Sequence, residues 1–182
     1  MSENNKTLIR RYREAYNNGD LDQLVDLLAP DWVSHSWMEG VPRTVEGAKQ
    51  LHRMTLSMFP DWTFTTQALI AEGDLVVEHF TNSGTHLAEV GGLPPTGNHF
   101  EVRGVSIFRI ADDRIVEHWA YVDELSFLEA LGLPEYLGVE LPPAWRMASH
   151  HDAIPQFTRA TTPGTESRIA HEGRMTNGRK DV

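Results

Sequence analysis

The residues best suited to chemistry lie on one stretch of the chain, Ile115 to Asp123. This stretch predicts a β-strand in which Glu117, Trp119, Tyr121 and Asp123 recur at two-residue spacing and therefore share one face. Two carboxylates beside a phenol and an indole are costly to bury, and they suit a pocket that moves protons on an organic molecule. The sequence therefore predicts a small-molecule site on this strand.

Asp123 is the first candidate for acid/base chemistry. Carboxylates take protons from carbon efficiently only when burial raises their pKa, and the aromatic neighbours Trp119 and Tyr121 would provide a dry environment. A second interpretation stays equally open. Asp123 directly precedes a predicted helix that begins at Glu124, and aspartate commonly caps the first turn of a helix.

His118 points to the opposite face of a regular strand, although a β-bulge would change this. Because histidine titrates near neutrality, His118 could act as a general acid or donate a hydrogen bond to an enolate oxygen. The alternative is a partly buried histidine on a sheet face that meets a second copy of the chain. Alternation alone does not decide which face lines the pocket, so His118 is kept as a catalytic candidate.

Two further histidines belong to the predicted strand 75–85 and the loop after it. His79 lies on the strand beside Phe80, and both could line the pocket wall, whereas His86 opens a glycine-rich loop that could cover the pocket. The histidines of the chain raise the question of a metal site. Their spacing lacks a ligand pattern such as His-x-x-x-His, and no acidic partner is fixed to them, so no metal is predicted.

Composition and charge exclude several classes of protein. The 182 residues suffice for one domain with a substantial core, and a formal net charge of -10 offers no basic surface for nucleic acid or anionic membranes. The absence of cysteine excludes disulfides, thiolate catalysis and iron–sulfur clusters. Because the N-terminus is polar and no apolar run reaches membrane-spanning length, we expect a cytoplasmic protein that meets neither nucleic acid nor membrane.

Helical periodicity dominates the first third of the chain, and strand alternation dominates the part after it. The predicted helices cover 4–17, 21–28, 45–58 and 124–131, the predicted strands cover 62–71, 75–85, 99–111 and 115–123, and a short extended piece covers 31–37. The pattern predicts an α+β fold, a curved antiparallel sheet with three N-terminal helices on one side. We expect 134–182 to form an irregular extension, partly docked or disordered.

Several segments, taken in order, resemble the SnoaL-like polyketide cyclases, also called ester cyclases. These segments are Tyr16-Asn-Asn-Gly-Asp-Leu-Asp-Gln-Leu24, Leu28-Ala-Pro-Asp-Trp-Val-Ser-His35, Phe59-Pro-Asp-Trp62, Gly84-Thr-His86, Gly92-Leu-Pro-Pro-Thr-Gly97, and Ile107-Phe-Arg-Ile110 followed by Ile115-Val-Glu-His-Trp119 and Asp123. The resemblance assigns 1–133 to a SnoaL-like domain. It implies the cone-shaped fold of nuclear transport factor 2 and ketosteroid isomerase, in which a curved sheet and three helices enclose a pocket and homodimers are usual.

The resemblance also implies an activity. Members of the family close a ring by intramolecular aldol condensation of a polyketide methyl ester, without metal or cofactor, and an aspartate matching Asp123 acts as acid/base. In such a fold His35 and Trp37 lie at the pocket rim, where His35 could polarise a carbonyl. By analogy with ketosteroid isomerases, Tyr16 could hold an enolate, and core packing is its alternative role.

The predicted site therefore combines catalytic and substrate-binding residues. The catalytic candidates are Asp123, His118 and His35, and the substrate-binding candidates are Trp37, Tyr16, His79, Phe80, His86, Trp119 and Tyr121. Because the fold serves many functions, three alternatives to a cyclase stay open. They are an isomerase or dehydratase, an epoxide hydrolase, and a small-molecule-binding module without catalysis.

Overall fold

The computed structural model describes residues 2–36 and 40–138. The helices are α1 (Ser2–Asn18), α2 (Leu21–Asp26), α3 (Val45–Met58), α4 (Glu124–Leu131) and α5 (Leu133–Leu137), and the strands are β1 (Leu28–Ser34), β2 (Thr63–Glu72), β3 (Leu75–Thr85), β4 (His99–Ala111) and β5 (Arg114–Val122). The predicted α+β class with a curved sheet and N-terminal helices is confirmed. No helix within this part of the chain is long and apolar enough to cross a membrane.

The five strands form one sheet in the order β1-β5-β4-β3-β2, in which β1 runs parallel to β5 and the other pairs are antiparallel. The edge strand β1 corrects two expectations: α2 ends at Asp26 rather than at Leu28, and the extended piece begins earlier than residue 31. The reason is that Pro30 lacks the N–H that a helix needs but is tolerated in an edge strand, where Leu28 and Trp32 are buried.

The inner face of the sheet follows from strict alternation along its two central strands. On β3 the inward residues are Val76, Glu78, Phe80, Asn82 and Gly84, and on β4 they are Phe100, Val102, Gly104, Ser106, Phe108 and Ile110. Helix α1 packs against this face through an apolar stripe that includes Ile9 and Tyr12. Helix α3 begins at a Thr44 cap, whose side chain accepts a hydrogen bond from the Gly47 amide.

A β-bulge in β5 decides which of its side chains reach the inner face. Ile115 pairs with Ile110, and Glu117 pairs with Arg109, so Val116 is an extra residue without a partner of its own. An extra residue shifts the alternation by one, and every side chain after it changes face. His118 consequently joins the buried Phe108 on the inner face.

Candidate active site

A cavity of about 410 Å³ lies between the inner face of the sheet and helices α1, α3 and α4. Its walls are mainly aromatic and aliphatic, which is typical of a pocket for an organic ligand. Polar side chains from three different elements meet at one end, where His118, Ser106 and Arg13 contribute to the lining. This end is the part of the cavity that is equipped for chemistry.

His118 is the ionisable ring at this end. Its Nε2 lies 3.1 Å from the Ser106 Oγ, and its ring stacks on Phe108 with 4.7 Å between centroids. Burial above all, together with the nearby positive charge of Arg13 and the proximity of His35, lowers the pKa of His118 to about 3. The imidazole is therefore neutral throughout the physiological pH range.

Arg13 connects His118 to a buried ion pair. Its Nε and Nη2 donate hydrogen bonds to Glu78 Oε2 at 2.8 and 2.6 Å, and Nη2 also donates to the Ser106 Oγ at 3.1 Å. The other carboxylate oxygen of Glu78 accepts a hydrogen bond from the Thr66 hydroxyl at 2.6 Å. Because Glu78 is fully buried, this network holds the Ser106 hydroxyl, and through it the His118 ring, in one position.

Two of the predicted substrate-binding residues line the cavity. Tyr16 packs edge-on against His52 and Phe64, and burial raises the pKa of its phenol to about 12. Tyr16 is therefore a neutral hydrogen-bond donor at any physiological pH. Phe80 supplies a flat apolar wall, because its ring lies directly over the backbone of Gly104, where an added Cβ would come within 2.4 Å of the Phe80 Cζ.

The face of β5 that carries Glu117, Trp119 and Tyr121 was expected to line the pocket, but it is the outer face of the sheet. His118, Ala120 and Val122 contribute to the cavity lining, whereas Trp119 and Tyr121 do not, and Tyr121 is 61% exposed. The expectation for the run from Glu117 to Tyr121 was wrong because the bulge reverses the alternation that starts at Ile115.

His35 also belongs to this outer face. Its ring stacks on Trp119 at 4.5 Å with an interplanar angle of 8°, and its Nε2 lies 3.2 Å from Glu117 Oε2. The side chain is 40% exposed and does not line the cavity. His35 is linked to the cavity through His118, whose carbonyl oxygen accepts a hydrogen bond from the His35 amide at 2.8 Å.

The remaining candidates lie elsewhere. His79 is paired with Val105 and Ala68 on the outer side of β3 and is not part of the cavity lining. His86 is fully buried outside the lining, where its Nδ1 accepts a hydrogen bond from the Thr96 amide at 3.3 Å. Trp37 lies outside the described residues. Within the two described ranges, no three His, Asp or Glu side chains are grouped so that they could hold a metal ion.

Asp123 caps helix α4. One carboxylate oxygen accepts the Ser126 amide at 3.1 Å, the other accepts the Ser126 hydroxyl at 2.6 Å, and the residue does not line the cavity. This is the capping role that the sequence offered as an alternative. The cavity does pass close by, since Val122 and Glu124 both line it.

We expect Asp123→Asn to keep both stability and activity, because asparagine caps a helix as well as aspartate does but cannot act as a base. Asp123→Ala should cost about 1 kcal/mol of unfolding free energy through loss of the cap. Chemical denaturation measures the unfolding free energy of each variant, and a ring-closure assay measures its turnover. A large loss of turnover in a fully folded Asp123→Asn protein would return Asp123 to the role of catalytic base.

The network of Arg13, Glu78 and Ser106 was missed in the sequence. A signal was present, since Arg13 falls four residues after Ile9 on the apolar stripe of α1, and Glu78 falls between Val76 and Phe80 on the inward face of β3. A charged residue at a core position of one element needs an opposite charge from another.

Comparison with known proteins identifies the family to which this fold belongs. A profile of the SnoaL-like polyketide cyclases matches residues 6–131. The chain is 26% identical over 145 residues to the aklanonic acid methyl ester cyclase DauD of Streptomyces sp. (strain C5), which covers 76% of this chain and 86% of that protein. It is 27% identical over 122 residues to the nogalonic acid methyl ester cyclase of Streptomyces nogalater, which covers 66% of this chain and 91% of that protein.

A solved structure gives the same assignment at higher identity. IdmH of Streptomyces antibioticus, described as a candidate polyketide cyclase, is 40% identical with a TM-score of 0.64, and the match covers 70% of this chain and 98% of that chain. The resemblance seen in the sequence is confirmed over most of the chain. The protein therefore belongs to the SnoaL-like polyketide cyclase family.

Proposed function

We propose that the protein is a cofactor-independent polyketide cyclase, which removes a proton α to a carbonyl and closes a ring by an intramolecular aldol reaction. The observation that carries this proposal is the neutral imidazole of His118, held against Ser106 at the polar end of a mainly apolar cavity. A cavity of this character accepts a hydrophobic carbon skeleton and directs its oxygenated part to the polar end.

The proposed reaction moves one proton and forms one carbon–carbon bond. His118 accepts the proton from a carbon beside a substrate carbonyl, and the electron pair of the broken C–H bond forms an enolate. The enolate carbon attacks a second carbonyl carbon of the same molecule, whose oxygen becomes an alkoxide. The imidazolium then returns the proton to this alkoxide, so the atoms and electrons balance within the substrate and the enzyme regains its starting state.

The lowered pKa of His118 suits both proton transfers once the charge of the substrate is included. Before the reaction, burial and the Arg13 charge keep the ring neutral, so its lone pair is available at every physiological pH. A negative enolate beside the ring stabilises the imidazolium, because an opposite charge raises the pKa of a base. When ring closure moves the charge onto an alkoxide, which is a much stronger base than the imidazole ring, the imidazolium gives its proton to that oxygen.

The homodimer and the cytoplasmic location expected from the sequence remain parts of this proposal. The outer face of the sheet supports pairing with a second copy, because it presents the exposed apolar side chains Tyr121, Ile70 and Val33. These three side chains lie on the separate strands β5, β2 and β1, and a second copy packed on this face would remove them from water.

The proposal is tested by ring closure in vitro. We expect the protein to convert aklanonic acid methyl ester or nogalonic acid methyl ester into a product of unchanged mass with one ketone fewer and one hydroxyl more, followed by mass spectrometry and NMR. Because the free-enzyme His118 is neutral well above pH 3, kcat/KM should show no inflection near pH 6.5. Binding of both esters without ring closure above a heat-denatured control would contradict the cyclase assignment.

A further inference from the structure

One hydroxyl of the cavity lining, that of Ser36, has no role in the proton transfers at His118. Its Oγ accepts a hydrogen bond from the Ala120 amide at 2.9 Å. Among the residues that the structure describes, the Ser36 hydroxyl donates no hydrogen bond, so its proton is available to a ligand. The proposed reaction has a use for such a donor, because it places negative charge on a substrate oxygen near His118.

Ser36 belongs to the same row of the sheet as the polar end of the cavity. Ala120 on β5 pairs with Ser106 on β4, and Ser36 contacts Ala120 from the opposite side. The His118 ring reaches into this row, because its Nε2 lies 3.1 Å from the Ser106 Oγ although its backbone pairs with Phe108. The imidazole and the Ser36 hydroxyl therefore border one recess, at whose base lies the small side chain of Ala120.

The donors on Tyr16 and Asn82, which also line the cavity, lie further from this recess. The Tyr16 ring packs on Phe64, and Phe64 is the register partner of Asn82. The row of Asn82 is separated from the row of Ser106 by four residues, which is roughly 14 Å along a strand. A carbonyl oxygen is bound close to its α-carbon, so a donor in the row of the imidazole is the one that meets it.

We propose that Ser36 is a second catalytic residue, whose hydroxyl donates a hydrogen bond to the substrate oxygen as that oxygen becomes an enolate. The Ala120 amide fixes the position of the Ser36 Oγ and strengthens it as a donor, because hydrogen bonds in a chain polarise one another. The hydroxyl proton stays on Ser36 throughout, so the proton balance at His118 is unchanged. The inference rests on the proposed function, since it adds a residue to the same reaction.

A purely structural role for Ser36 predicts a different result. The pairing of β1 with β5 ends at Ser34 and His118, and beyond this point the Ala120 amide takes the Ser36 Oγ as its acceptor. An acceptor for that amide stabilises the fold but does not stabilise negative charge on a ligand. The charge state of a bound oxygen therefore distinguishes the two roles, whereas folding stability does not.

The probe is 4-nitrophenol, whose phenolate imitates the enolate oxygen and is followed by its visible absorbance. We expect the full 182-residue protein to bind it. The pKa of the bound phenol should be about one pH unit higher in Ser36→Ala than in the wild type, a tenfold change in the ratio of phenolate to phenol. Ser36→Thr keeps the hydroxyl and should restore most of the wild-type ratio.

Ring-closure kinetics give a second readout. Ser36→Ala should lower kcat about 100-fold and leave KM within about threefold, because the donor acts on charge that develops in the transition state. If Ser36→Ala does not fold, Ser36→Cys takes its place, since a thiol is only a weak donor and the same shift of the bound phenol is expected.

Three results would overturn the role of Ser36: equal pKa values of the bound phenol in the wild type and Ser36→Ala, a shift that Ser36→Thr does not reverse, or failure of the wild type to bind 4-nitrophenol. The phenol titration requires no turnover. A protein that shows the shift but closes no ring would therefore refute the cyclase and leave Ser36 as a donor to a bound oxyanion.

Discussion

His118→Gln is expected to lose about two to four orders of magnitude in kcat, the range that general acid–base catalysis supplies. Glutamine is the informative replacement, because its side-chain amide can keep the hydrogen bond that the His118 Nε2 makes to Ser106 but cannot carry a proton between carbon and oxygen. Substrate binding should change little, so the loss should appear in kcat rather than in KM.

The matched control for this variant is His35→Gln. His35 is the same residue type on the other side of the sheet, stacked on Trp119 and outside the cavity lining. We expect its turnover to stay within about threefold of the wild type, since it contacts no substrate. Equal losses in the two variants, or a His118→Gln protein with nearly full activity, would remove His118 from the mechanism.

Acid stability gives a second measure of the same group. The folded-state pKa of His118 is about 3, below the usual value of 6.5, so the unfolded chain binds a proton between these two pH values and the folded chain does not. The contribution of His118 to the unfolding free energy is therefore complete above pH 6.5 and is lost as the pH falls toward 3. Between pH 7 and pH 5 the loss amounts to about 2 kcal/mol. His118→Gln should lack that part of the acid sensitivity in urea denaturation at the two pH values.

The sequence was sufficient for most elements because their signals are local. Alternation along β3 and β4 and the apolar stripe of α1 indicate which residues face inward. Two of the candidates named from the sequence, Phe80 and Tyr16, lie on these inward faces and line the cavity. The tight turn between β4 and β5 was equally readable from Asp112 and Asp113, both of which adopt positive φ angles. Such features depend on a few neighbouring residues and on little else.

Two features of the site are not contained in local patterns: the face of β5 that points inward and the partner of Arg13. A single bulge at Val116 reverses the faces of Glu117 and His118, and its presence is decided by pairing with β4. The partner of Arg13 is equally remote, since Glu78 lies 65 residues away in sequence. Contacts of that separation become visible only when the sheet and the first helix are assembled.

Arg13→Met is expected to lower the unfolding free energy by about 3–5 kcal/mol, because it leaves the fully buried Glu78 carboxylate without its cation. The double variant Arg13→Met/Glu78→Met should recover most of that loss, since replacing both members of a buried ion pair by apolar side chains of similar size is often neutral. Urea denaturation of the two single variants and the double variant gives the coupling energy directly. A double variant whose loss of unfolding free energy equals the sum of the losses of the two single variants would show that the pair is not coupled.

The double variant then shows why the ion pair is present at all. If it folds with near wild-type stability, the pair is not required for the fold, and its remaining effect is on His118. Removing the Arg13 charge eliminates one cause of the lowered His118 pKa, so that pKa should rise toward 6.5, as measured by NMR titration of the ring. The pH profile of kcat/KM of the double variant should then show an inflection at the raised pKa of His118. Activity should fall as the pH decreases through that value, because the protonated ring can no longer accept the substrate proton.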